Sequence, residues 1–309
     1  MTPPPINRHM SPVEWGLLVF LAIVWGGSYF YVGIAVKELP PLTIVAVRVI
    51  LGAALLYLVA RAAGARLPRA ASIWGSFFVM GLLNNVIPFS LIAWSQGHVE
   101  SGLAAILNAT TPLFTVIVAH FMTHDEKMTP ARVAGLVVGF AGVVVMIGPD
   151  ALAGAGSDLL AELAPLLASV FYAVSGVYGR RFSRLGLKPI ATATSQVTAS
   201  AVMMLPLALV FDAPWTLPAP SFNVVLALIG LAALSTTLGY VLFYRILASA
   251  GAVNLLLVTF LVPVSAIILG ALILDEHLAL NHFAGMALIG LGLAGIDGRV
   301  FNLLWRKAA

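Results

Sequence analysis

The residues of this chain with chemistry to offer are amides, hydroxyls and aromatic rings set inside apolar stretches. "GLLNNVIPFSLIAWSQ", residues 81–96, carries Asn84, Asn85 and Pro88. "LNATTPLF", residues 107–114, carries Asn108, Thr111 and Pro112. Thr236 and Tyr240 lie in "STTLGY", and Thr259 and Pro263 in "TFLVP". An amide without a partner in an apolar medium costs several kcal/mol, so each of these must meet a neighbouring helix, water or a solute. A proline supplies no N–H and leaves the carbonyl four residues earlier without its helical donor. Pro88 thereby frees the carbonyl of Asn84, and Pro112 that of Asn108. Freed carbonyls beside amides can hold an ammonium or a hydroxyl.

On a helix of 100° per residue the polar positions gather in stripes. Asn84, Asn85 and Pro88 share a face with Gly81, Ile92 and Ser95, opposite Trp94, Val86 and Leu83. Asn108, Thr111 and Pro112 share one with Ser101 and Thr115. Thr236 and Tyr240 share a third, Thr259 and Pro263 a fourth. Two readings stand: the stripes line a shared pathway, or they are hydrogen-bonding glue between helices. Trp25, Tyr29, Tyr172 and Tyr240 lie deep inside apolar runs, where a ring can wall a site for apolar or aromatic groups or simply pack. Arg48 is the lone basic residue within such a run. It would pair with a carboxylate or gate carbonyls, or else anchor helices as a snorkelling side chain. Gln196 holds the equivalent position later in the chain and keeps hydrogen bonding without charge.

The elements that carry these residues follow from composition. Of 309 residues 61% are hydrophobic and 9% charged, against about a quarter charged in a soluble domain. Apolar runs of roughly 20 residues recur, long enough to cross a bilayer as helices. They are continuous rather than alternating, which argues against a barrel. The expected fold is an all-α integral membrane protein of about ten transmembrane helices, over residues 13–35, 42–60, 73–95, 101–122, 133–148, 159–179, 190–211, 222–244, 252–274 and 282–298. The first run is too long for a cleaved signal and reads as a retained span. With the N-terminus inside, Lys37 is the only Lys or Arg in an outward loop, whereas Arg61, Arg66, Arg69, Lys127, Arg132, Arg180, Arg181, Arg184 and Lys188 all fall inward. By the positive-inside rule both termini are cytoplasmic, in a multi-pass plasma-membrane protein. The outward loops are acidic: Glu38, Glu100, Asp150, Asp158, Asp212, Asp275 and Glu276. There are no cysteines, and no Walker loop or HExxH that would bring a cofactor or metal. No carboxylate sits at mid-span, where a proton-coupled pump usually keeps one. The lipid bilayer is therefore one partner and nucleic acid is not; if the polar stripes line a pathway, the other partner is a small-molecule substrate. The sequence leaves oligomeric state open, and a monomer would suffice.

The chain also repeats itself. "GLLNNVIPFSLIAWSQGHVESG" from Gly81 aligns without a gap to "GLAALSTTLGYVLFYRILASAG" from Gly230. Pro41 with Arg48 matches Pro189 with Gln196, Pro112 matches Pro263, and Asp125–Glu126 matches Asp275–Glu276. Residues 1–150 and 151–309 are thus two five-helix repeats, and an odd number of spans inverts the second. With "WGGSYF", "PPLTIVAVRVILGAALL", "ATTPLFTVIVAHFMTHDEKMTPARVAGLVVGFAGVVVMIG" and its echo "FLVPVSAIILGALILDEHLALNHFAGMALIGLGLAGIDG", the chain resembles the drug/metabolite transporter superfamily in its EamA-type branch, and within it the YddG-like bacterial exporters of aromatic amino acids. The resemblance covers nearly the whole chain. It implies a secondary transporter, not an enzyme, that exports amino acids or related metabolites by alternating access. A passive uniporter or channel for neutral solutes is the nearer alternative, and an intramembrane lipid-modifying enzyme the more distant one.

Overall fold

The structure, a computed structural model, describes residues 10–123, 127–153, 157–255 and 257–297. Asp125, Glu126 and the terminal Arg8, Arg299, Arg306 and Lys307 lie outside the described residues. The elements are α1 (Pro12–Ala35), α2 (Pro41–Ala62), α3 (Ala71–Ser95), α4 (Ser101–Met122), α5 (Pro130–Ala153), α6 (Ser157–Arg184), α7 (Pro189–Phe211), α8 (Phe222–Gly230, Leu231–Leu238 and Gly239–Leu255 in continuous succession), α9 (Val258–Ile273) and α10 (Leu280–Asp297). Among the described residues there is no strand. Eight helices are long and apolar enough to cross a membrane, and Leu261–Ile273 and Leu280–Gly295 are shorter apolar stretches. The protein is an all-helical, multi-pass membrane protein.

Sequence signals account for the helix starts. Pro12, Pro41, Pro130 and Pro189 each open a helix, where the missing N–H is no loss and the fixed φ is already helical. At α1 a capping box completes the start: Glu14 N donates to Ser11 Oγ (3.3 Å), and Ser11 N donates to Glu14 Oε2 (2.7 Å). The boundaries shift most at α8. It runs on to Leu255 rather than ending near residue 244, because "ILASAGAV" offers helix-forming alanines where the first repeat has the Gln96–Gly97–His98 break.

Two helices depart from α-geometry inside their spans. α3 is π-helical over Leu82–Val86, and α8 over Leu231–Leu238. These are the two segments that align in the sequence repeat. A π-turn inserts a residue and rotates the remainder of its helix, so a 100° wheel misplaces side chains there. Val86, expected opposite Asn85, is 4% exposed and buried like its neighbour, packed into the apolar core that α2 and α7 share.

Packing repeats across the two halves. α2 lies on α7 and α5 on α10. α1 crosses α8 and α9, as α6 crosses α3 and α4. Missing side chains permit the closest approaches. A Cβ on Gly142 of α5 would sit 2.7 Å from the carbonyl oxygen of Gly285 on α10, so this seam closes only with glycine.

The acidic residues between helices have a structural use. Glu38 and Glu100 come from the first half, and Asp212 and Glu276 from the second. Asp212 Oδ2 accepts from Thr43 N (2.6 Å) and Thr43 Oγ1 (2.9 Å) at the start of α2. Glu38 Oε2 accepts from Ser221 N (2.7 Å) at the start of α8. Glu276 accepts from Ser101 N (2.9 Å), Ser101 Oγ (2.8 Å) and Gly102 N (3.2 Å) at the start of α4. Glu100 Oε1 accepts from His277 N (3.2 Å). Each carboxylate reaches into the opposite half, and three of them meet the positive end of a helix dipole.

Candidate functional site

Four of the expected residues meet directly. Gln196 Nε2, on α7, donates to Asn85 Oδ1 (2.6 Å) and Asn84 Oδ1 (2.8 Å) in the π-helical turn of α3, and lies 3.1 Å from the Tyr240 hydroxyl of α8. Tyr240 donates to Asn84 Oδ1 (3.2 Å), and Asn85 Nδ2 donates to the Tyr240 oxygen (3.1 Å). Asn84 Nδ2 continues to Ser175 Oγ of α6 (2.8 Å). Four helices are thereby joined through one amide–phenol network. Asn85 and Gln196 are sealed at 0% and 1% exposure, whereas Asn84 and Tyr240 keep some accessible surface. In a low-dielectric interior such a network is worth having only when its members are satisfied.

Arg48 lies beside this network. It is 8% exposed. Nε donates to Thr236 Oγ1 (3.0 Å), and the guanidinium lies 3.6 Å from the centroid of the Phe89 ring on α3. Thr236 Oγ1 in turn donates to the Leu231 carbonyl, five residues back on the π-helical turn (3.1 Å). Tyr29, Tyr172 and Tyr240 all lie within electrostatic range of the charge. Among the described residues no carboxylate pairs with it, and its Nη atoms take no protein acceptor. Burying an ion costs several kcal/mol. The ring face returns up to about 2 kcal/mol and a hydrogen bond from a charged donor about 1.5–3. An acidic group at the Nη atoms would complete the balance.

The second cluster surrounds Asn108. α4 breaks at Ala109–Thr110 between Ser101–Asn108 and Thr111–Met122, as Pro112 requires. The freed Asn108 carbonyl accepts from Thr111 Oγ1 (2.7 Å) and from Ser169 Oγ of α6 (3.1 Å). Tyr29 and Tyr172 pack together on Ile92, Ala104 and Ala105 nearby. Pro88 and Pro263 are buried in their helices. Thr259 sits one turn before Pro263 at the start of α9. Trp25 packs on α8 next to Tyr240: its indole tilts onto Phe243 at 5.7 Å, and a Cβ on Gly239 would sit 2.5 Å from Nε1.

Ser169, Ser175 and Phe89 are partners that the stripe argument did not name. The two serines are spaced six apart on α6 and fall on no single stripe. Phe89 reads as an ordinary apolar residue until Arg48 is placed on it.

Proteins of known sequence and structure resemble the whole chain. The model of the EamA-like transporter family matches residues 14–148 and again 159–296. The transporter YoaV of Bacillus subtilis (strain 168) is 26% identical over 281 residues, covering 89% of this chain and 94% of its own. A protein of Escherichia coli (strain K12) named as a probable amino-acid metabolite efflux pump is 25% identical, covering 97% of this chain and 98% of its own. A solved crystal structure aligns with a TM-score of 0.64 at 22% identity over 91% of this chain and 96% of that chain, and so shares the fold. Two family matches, one on each half and together spanning most of the sequence, leave one conclusion: the chain belongs to the EamA-like transporter family.

Proposed function

We propose that the protein exports amino acids or closely related small metabolites across a bacterial inner membrane by alternating access. Both termini would lie in the cytoplasm, and residues 1–150 and 151–309 would be inverted repeats that rock against each other. The observation that carries the reading is Arg48: a buried cation, braced by Phe89 and Thr236, with no carboxylate of its own among the described residues. That environment suits a solute with a carboxylate and an apolar or aromatic side chain. Asn84 and Tyr240, the members of the amide network that keep accessible surface, would line the path beside it, where an ammonium would have to replace a donor already held by Asn84 Oδ1 or the Tyr240 oxygen. The likeness to a protein named as an amino-acid metabolite efflux pump supports the same substrate class. The carboxylate links between halves at the outer ends of α2, α4 and α8 support a state closed on that side, since opening would have to part them.

The test is flux in liposomes with a panel of labelled amino acids, with and without a pH gradient and with and without solute on the far side. Stimulation by solute on the far side supports an alternating carrier. Saturable transport of amino acids that Arg48→Gln weakens supports the site. Uptake insensitive to Arg48→Gln would remove it from the pathway.

A further inference from the structure

We infer that the outer end of the protein carries a second, shallower binding station for the zwitterionic head group of an α-amino acid. The inference rests on the transport reading above but uses none of the mid-membrane residues. A cavity of about 300 Å³ opens where the end of α1, the end of α3, the start of α4 and the end of α9 meet, and Lys37, Gln96, Ser101 and Glu276 line it. Gln96 is 7% exposed, yet neither its Nε2 nor its Oε1 has a hydrogen-bond partner among the described residues. Buried amides are almost always satisfied, and an orphaned one calls for a missing water or ligand. A Cβ on Gly33 would lie 3.7 Å from Gln96 Oε1, so the absent side chain leaves room beside that oxygen.

The lining carries both signs. Lys37 is exposed at the rim. Among the described residues Glu276 Oε1 accepts only from Ser101 N, while Oε2 accepts from Ser101 Oγ and Gly102 N. A carboxylate has about four acceptor sites, so Oε1 keeps one for a further donor. A lone anion would meet the repulsion of Glu276, and a lone cation that of Lys37. A solute with both charges meets neither. Its carboxylate would face Lys37 and Gln96 Nε2, and its ammonium Glu276 Oε1 and Gln96 Oε1. An adjoining cavity of about 360 Å³ shares Val36, Lys37 and Gly97 and adds Trp94, which gives an apolar side chain a place to lie.

Val36 lines both cavities and the chain has no native cysteine, so Val36→Cys gives a single reporter. In lipid nanodiscs, its rate of reaction with a maleimide is measured with each standard L-α-amino acid, and with the amine and the acid that lack one charge. We expect at least one amino acid to slow labelling several-fold, its single-charge counterparts to have no effect, and added Gln96→Leu to abolish protection while the rate without solute stays the same. If Gln96→Leu alters that basal rate, Lys37→Gln is the second variant and should also abolish protection. Absence of protection by any amino acid, equal protection by the amine or the acid, or protection that survives both variants would overturn the proposal. Liposome counterflow by the Val36→Cys protein separates the two readings: transport without protection sinks the outer station alone, and protection without transport sinks the transport reading alone.

Discussion

Arg48 and Gln196 each lie seven residues after the proline that opens their helix, and each sends its side chain into a π-helical turn contributed by the other half. Arg48 Nε reaches Thr236 at 3.0 Å within Leu231–Leu238, and Gln196 Nε2 reaches Asn85 at 2.6 Å within Leu82–Val86. At 1.5 Å per residue the two are about 10 Å from the starts of their helices. The contact has the same form in both repeats and differs in charge. The half with the cation has hydroxyl and ring partners. The half with the amide has amide and phenol partners.

That difference separates binding from scaffolding. Arg48→Gln copies the amide of the second repeat. It should weaken solutes that carry a carboxylate by about 10-fold or more, since a hydrogen bond to a charged group is worth about 1.5–3 kcal/mol. Thermal stability should hold or rise, because a buried charge is removed. Equilibrium binding together with a melting curve checks both halves of the expectation.

Gln196→Leu should behave in the opposite way. It strips a donor from Asn84 and Asn85 at once and removes the amide beside the Tyr240 hydroxyl. A buried acceptor left unpaired costs about 1–3 kcal/mol. The midpoint of unfolding should fall, and transport should fall in proportion to folded protein. Asn84→Leu, at the accessible edge of the network, should instead cut flux with a smaller loss of stability. If Asn84→Leu transports at the wild-type rate, Asn84 belongs to the scaffold.

The prolines make a kinetic prediction. Pro112 sits at the break in α4 and Pro263 inside α9. Pro112→Ala and Pro263→Ala should restore a backbone donor and stiffen the helices. Exchange should slow while affinity changes little. Initial flux measured beside equilibrium binding decides it, and unchanged flux in both variants would make the prolines tolerated kinks.

Orientation is open to direct chemistry. The excess of Arg on one side predicts that Ala63→Cys, after α2, resists an impermeant reagent in intact cells. Trp215→Cys, in the loop after α7 and 70% exposed, should react. The reverse pattern would invert the topology.

The carboxylate links between the halves predict a pH dependence. Hydrogen bonds from Ser221 hold the Glu38 carboxyl below its ordinary range. A depressed folded-state pKa stabilises above the unfolded value and fades as pH falls through the folded one. The difference in melting temperature between Glu38→Gln and wild type should therefore be constant from pH 7 to about 5. It should shrink only below the usual carboxylate range near about 4.3.

Local composition was enough to reveal much of this protein. Apolar run length set the spans, because a bilayer rewards uninterrupted hydrocarbon of one thickness. Pro41 and Pro189 marked helix starts, and Pro112 marked the break in α4, because the loss of an N–H is a property of the residue itself. The asparagines were visible as polar groups that must find partners. Which partners they found was decided between helices. A stripe drawn at 100° per residue could not foresee π-helical turns at Leu82–Val86 and Leu231–Leu238, which rotate Val86 into the core and turn Asn85 and Thr236 toward α7 and α2. Nor could it foresee Ser169, Ser175 and Phe89, brought to Asn108, Asn84 and Arg48 from other helices. The acidic loop residues read only as a charge bias. Their use as caps on the opposite half depends on helices placed side by side, and close approach such as that of Gly102 on α4 to Ile267 on α9 is a matter of packing rather than of any local signal.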